Sequence, residues 1–239
     1  MNNNSANQPD SGDRFPLPSA ARSITQTTML AALTAIPVLS AVSEIIMGRL
    51  QFVNETRLNT WLNELAVDLE KVAQKQIIDV EELFNNPKFV EVVMRTMKSV
   101  AITTDTEKLR LLRNVIRNTA QTSEMEHDLR LILMSYIDDL TVSHVNLLKF
   151  LDAPKDYYER HQMPWPDQSM GGLNSIIKPA FTQWTDDFIS QLMKDLYAKG
   201  LTTTESTGTT MTGAGLSAGR SKDFGTRLLD LIEDETHNS

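Results

Sequence analysis

The run TEKLRLLRNVIRNTA, residues 106–120, repeats apolar residues at Leu109, Leu112 and Ile116, spacings of three and four that put them on one face of an α-helix. Thr104 and Glu107, three apart, have the spacing of a capping box, in which the hydroxyl and the carboxylate each satisfy a free backbone donor. Arg110, Arg113 and Arg117 repeat at the same intervals and share a second face. The run therefore reads as an amphipathic helix with a basic side.

The pattern extends in both directions. Upstream, Leu58, Trp61, Leu62, Leu65, Leu69 and Val72 form the clearest stripe of the chain behind an Asn54 cap. Asp79 starts a short helix through Phe84. Asn86-Pro87 then sets a cap with proline at the first helical position, ahead of Val90, Val93, Met94, Met97 and Ala101. Downstream, Met125, Leu129, Ile132, Leu133, Tyr136, Ile137 and Leu140 continue the series. Residues 21–140 are expected to be a bundle of five or six helices, opening with a segment from Ile24 to Phe52 kinked at Pro37. Residues 1–20 carry three prolines and little apolar content and read as a disordered tail.

Past Leu140 the grammar changes. Thr141 caps a helix bearing Val145, Leu148 and Leu151, and Pro154, Pro164, Pro166, Gly171 and Gly172 then interrupt the chain, which marks a domain boundary and a long loop. A short apolar piece from Leu173 to Phe181 precedes Thr185, which caps a helix carrying Phe188, Ile189, Leu192, Met193, Leu196 and Tyr197. Gly200 stops that helix in a Schellman turn with Leu201. Residues 202–222, rich in Thr, Ser and Gly, suit a mobile loop or an extended hairpin, and Phe224 to Ile232 closes the module. The expected class is mainly α: an N-terminal helical bundle followed, over 141–235, by a winged-helix-like module whose third helix is the reader and whose 202–222 loop is the wing.

Composition narrows the function. A chain of 239 residues with 41% hydrophobic and 23% charged residues has the balance of a folded protein. The absence of cysteine removes disulfides, thiolate zinc sites, iron–sulfur ligation and thiol nucleophiles together, which fits the bacterial cytosol. A net charge of -8 opposes an extended nucleic-acid footprint. No secretion signal is read at the N-terminus. Arg22 and Glu44 bracket an uncharged segment, 23–43, whose apolar part is short of the roughly 20 residues a bilayer span needs and contains Pro37, so a buried helix pair is the plain reading and membrane association the alternative.

Four stretches, AALTAIPVLSAVSEII, TEKLRLLRNVIRNTA, YIDDLTVSHVNLLKFL and QLMKDLYAKGL with FGTRLLDLI, resemble a loosely defined class of bacterial helical proteins of abortive-infection alpha type. The resemblance touches most of residues 30–232. It implies a fold and a phage-defence context and supplies no active site.

Candidate sites are few. His127, His144, His161 and His237 are scattered without metal-ligand spacing, so no metal is expected. The pairs Asp138-Asp139 and Asp186-Asp187 read as structural, the second placed where a helix dipole favours carboxylates. The loop from Gly213 to Ser221 lacks the Lys and the preceding strand of a phosphate-binding loop, and no nucleophile elbow is present, so neither a cofactor nor catalysis is expected. Met94, Met97, Met125 and Met134 read as core. Arg110, Arg113 and Arg117 are spaced to grip phosphates, or to pair with acidic neighbours such as Glu64, Asp68 and Glu70 or Glu81, Glu82 and Glu91. Residues 141–239 hold nine Lys or Arg against thirteen Asp or Glu, a net of -4, and the reader helix opens on two aspartates, which disfavours DNA. The wing, with Arg220, Lys222 and Arg227, is the one credible nucleic-acid contact. Three expectations follow: a non-enzymatic module of the bacterial cytoplasm, in phage defence or stress, that binds a protein partner or itself; a winged-helix transcription regulator; or a membrane-acting effector working through 23–43.

Overall fold

The computed structural model describes residues 55–76, 80–122, 125–167 and 169–234. The expectations for the tail, the kinked segment, the Asn54 cap, the Asp79 start and His237 lie outside the described residues. Within them the chain is mainly helical. The elements are α1 Glu55–Gln76, α2 Val80–Asn85, α3 Pro87–Ile102, α4 Thr106–Gln121, α5 His127–Asp139, α6 Val142–Asp152, α7 Pro154–Arg160, β1 Met170–Gly171, α8 Asn174–Ala180, α9 Asp186–Ala198, β2 Met211–Thr212, α10 Gly213–Ser217 and α11 Asp223–Ile232.

Helix α4, the run quoted first, packs against α1, α3 and α11. That is why Leu111 and Val115 are buried together with Leu109, Leu112 and Ile116: a helix covered on several sides needs more than one apolar stripe. Trp61 of α1 donates its indole N–H to Leu109 O at 2.9 Å, which ties the two helices at a buried polar contact. From the other side, Asn114 Nδ2 donates to Ile232 O at 2.9 Å, and Asn118 Nδ2 to Leu231 O at 3.0 Å and Glu233 O at 2.9 Å. These amides satisfy carbonyls at the end of α11 that no helical N–H can reach. The boundary expected after Leu140 is therefore crossed by packing, since α11 rests on both α4 and α6 and one apolar cluster extends from Leu58 to Ile232.

Several local expectations hold. Asn86 accepts from Lys88 N at 3.0 Å with Pro87 leading α3. Thr141 and His144 form a reciprocal capping box at the start of α6. Thr185 Oγ1 accepts from Phe188 N at 3.2 Å. At the end of α9, Gly200 takes φ 71°, Leu201 N reaches Leu196 O at 3.0 Å and Gly200 N reaches Tyr197 O at 2.8 Å. This is the Schellman pattern, in a left-handed conformation that glycine adopts without a Cβ penalty.

Others need correction. The cap of α4 is Asp105, whose carboxylate accepts from Glu107 N at 2.9 Å and Lys108 N at 3.0 Å. Thr104 and Glu107 do not form the box because Glu107 turns to Arg110. The buried face of α3 is carried by Phe89, Val92, Val93, Met97 and Val100, with Val90 and Met94 only half-buried. Pro154 begins a helix instead of ending one, occupying the first position of α7, where its missing N–H costs nothing. Finally, 202–222 does not pair with itself as a long hairpin. Thr202 and Ser221 make a single antiparallel bridge, β2 pairs antiparallel with β1 at Met170↔Thr212 and Gly171↔Met211, and Thr212 caps α10 by accepting from Gly215 N at 3.2 Å.

An aromatic cluster organises the second half. The Phe150 ring, fully buried, lies 5.3 Å from Tyr157 and 5.7 Å from Phe181, both in T-shaped contacts. Tyr158 donates to Ile176 O at 2.7 Å, and burial pushes its phenol up to about 12.

Candidate interaction surface

The basic face of α4 is used internally. Arg113 pairs with Glu64, and its Nε lies 2.8 Å from Asp68 Oδ2, poorly aligned for a hydrogen bond. Arg117 Nη1 binds Asp234 at 2.6 Å while Nη2 reaches Glu233 O at 2.6 Å. Arg110 bonds Glu107 at 2.6 Å and sits 3.5 Å from Asp234. The hydrogen bond from Arg110 holds the Glu107 carboxyl below its usual range. The three arginines thus tie α1 and the end of α11 to α4. Lys108, of the same run, is buried and donates to Ile137 O and Leu140 O, which places a cation at the negative end of the α5 dipole. Burial pulls its pKa down.

The three wing residues are not brought together as one exposed cationic patch. Arg220 is 5% exposed, and its guanidinium donates to the carbonyls of Leu216, Ala218 and Gly215. Its backbone N–H reaches Leu151 O at 2.7 Å, so the side chain folds the loop on itself while the main chain ties it to α6. Arg227 pairs with Asp223 at 2.8 Å, and Lys222 lies over the Tyr197 ring at 5.4 Å. Arg220→Ala is expected to cost roughly 2–4 kcal/mol by leaving carbonyls unsatisfied, and Arg220→Lys should recover little because an ammonium cannot span a guanidinium's fan of acceptors. Urea unfolding of both variants checks this; an unchanged midpoint for Arg220→Ala would refute the inward role.

The histidines and acidic pairs serve local structure. His144 Nε2 lies 3.2 Å from Asp195 Oδ2, His127 Nε2 is 3.0 Å from Glu91 and His161 stacks on Tyr157 at 4.0 Å. Asp138 accepts from Ser99. The hydrogen bond from Lys199 holds Asp139 below its ordinary value, and Asp186 pairs with Lys178 at 2.9 Å. Among the described residues no group of His, Asp or Glu could hold a metal ion, and no helix is long and apolar enough to cross a membrane.

What remains open is the outward face of α9. Ile189, Leu192, Met193 and Leu196 are buried, so 100° per residue turns Asp187, Gln191, Lys194 and Ala198 away from the core. Phe188 and Tyr197 flank that face, each 41% exposed. Phe188 rests edge-on against Trp184 at 5.7 Å, and Trp184 stacks on Phe181 at 4.0 Å with an interplanar angle of 2°. Phe181 joins Phe150, so an aromatic chain runs from the core to the surface. Phe188 and Tyr197 belong to the apolar stripe expected for this helix, and lying about a quarter turn from its buried centre they form its rims. No protein-family model, curated protein or solved structure matches this chain.

Proposed function

We propose that this chain is a non-enzymatic interaction protein of the bacterial cytoplasm that binds a protein partner through the outward face of α9, in the phage-defence or stress setting its abortive-infection resemblance implies. In this reading the elements α6, α8, α9, the 202–222 return and α11 act as a winged-helix-like module turned to protein contact. The observation that carries it is the pair of half-exposed aromatics, Phe188 and Tyr197, bordering a face that Asp187 opens, on a helix whose first turn holds both Asp186 and Asp187. Rigid aromatics dominate protein interfaces, because they bury much area for little lost side-chain freedom. Phosphates would instead meet two carboxylates at the helix start, and Arg220 is occupied inside the loop, so the DNA-regulator reading draws no support from this geometry.

A photo-reactive residue in place of Gln191 is the direct test. In native cells it should give a discrete protein adduct that falls about tenfold when Phe188→Ser and Tyr197→Ser are combined, the size expected for two interface anchors. An adduct pattern identical to that from position 98, exposed on α3, would remove the proposal. A salt-sensitive gel shift with upstream DNA that is lost in Lys222→Ala with Arg227→Ala would replace it with the regulator reading.

A further inference from the structure

A second feature lies far in sequence from α9, where the first turn of α5 meets α2, α3 and the end of α4 around a cleft of about 350 Å³. Arg130 lines it. The residue is 7% exposed, and its hydrogen bonds run from Nη2 to Thr122 O at 2.9 Å and Met125 O at 3.5 Å. Nε is buried without a partner. Among the described residues no carboxylate forms an ion pair with Arg130, and burial alone acts on its pKa, pulling it down. A buried cation with no described carboxylate beside it is expensive, and the carbonyls of Thr122, the cap of α4, and Met125, in the connection to α5, offset only part of that cost.

Other groups around the cleft also point to negative charge. His127, three residues earlier and on the same wall, spends Nε2 on Glu91 and leaves Nδ1 buried without a partner. Lys88 stands exposed on the rim. Helix α5 runs for 13 residues, and its N-cap, Glu126, makes no side-chain hydrogen bond to the free N–H groups of the first turn. Those donors carry the positive end of the helix dipole. Among the described residues the opposing charges are Glu126, which lines the cleft, Asp128, exposed in the first turn of α5, and Glu91, whose carboxylate is already bonded by Arg95 and His127. Leu83, Phe89 and Met125 add apolar wall.

We propose that this cleft is a binding site for a small organic anion, a carboxylate or phosphate group on an apolar body, with Arg130 as counter-charge and the first turn of α5 supplying backbone donors. The volume suits one ring and its charged group, at the lower end of small-molecule sites. The site is independent of the α9 surface.

Calorimetric titration of the full chain with benzoate and with phenyl phosphate tests it. Saturable binding of at least one is expected at a Kd of about 1 mM or better, weakened about tenfold by Lys88→Glu, an exposed change that leaves the core intact, and abolished by Arg130→Met. Benzoate binding alone assigns a carboxylate ligand and phenyl phosphate binding alone a phosphate. If neither probe saturates at about 10 mM, or if binding survives both Lys88→Glu and Arg130→Met unchanged, the site does not exist. Should Arg130→Met fail to fold, the Lys88→Glu titration decides by itself.

Discussion

Gly225→Ala is expected to destabilise the protein by roughly 3 kcal/mol, opposite in sign to the gain of about 1 kcal/mol that helix propensity gives alanine in a helix interior. Gly225 lies in the first turn of α11, where the chain presses on the end of the Schellman turn. A Cβ there would come under 3.0 Å from Leu201 O and within 3.4 Å of Leu148 Cδ1. Neither neighbour can yield. Leu201 O is a backbone atom that already accepts from Lys222 N at 2.9 Å, and Leu148 is fully buried. Relief would require α11 to lift from α6, and with it the carbonyls that Asn114 and Asn118 hold on α4. Urea unfolding gives the answer, and an alanine variant as stable as the parent would show that α11 is not seated this closely.

Phe150→Ala should cost about 3–5 kcal/mol, the range for removing a fully buried aromatic ring, with part of that arising from the cavity left behind. Three further rings lean on Phe150: Tyr157, Tyr158 and Phe181. Its loss should therefore also reduce the near-ultraviolet dichroism of the cluster. Because Phe181 carries the Trp184 stack and Trp184 supports Phe188, the same substitution should weaken partner contact at α9 in protein that remains folded. A variant that keeps both the dichroism and the contact would break this link between core and surface.

Much of the helical frame was legible because it rests on local rules. The stripe of α1 and the caps at Asn86, Thr141 and Thr185 depend on residues within one or two turns, as does the Gly200 stop. Legibility ended where partners came from far along the chain. Nothing near Arg220 in sequence announces that its guanidinium will turn onto the carbonyls of its own loop, and the Thr, Ser and Gly around it argued for openness. The arginines of α4 showed their shared face and, for Arg113, the pairing with Glu64 and Asp68, but not the tie from Arg110 and Arg117 to Asp234, which approaches from more than a hundred residues away. Arg130 stands between the apolar positions Leu129 and Ile132 with no local pattern to single it out; its burial is visible only once the surrounding helices are in place. The return of α11 onto α4, across the boundary expected after Leu140, is a contact that leaves no periodic signature.

Because α11 packs on both α4 and α6, the two halves are expected to unfold as one cooperative structure that holds the α9 surface rigid. Tryptophan placement permits a direct measurement, with Trp61 in α1 and Trp184 beside α9. Two single-tryptophan variants, one retaining only Trp61 and the other only Trp184, should unfold in urea with midpoints that agree within about 0.3 M, after correction for the stability each substitution itself removes. A Trp184 transition well separated from that of Trp61 would mean that the halves fold independently and that α11 does not couple them.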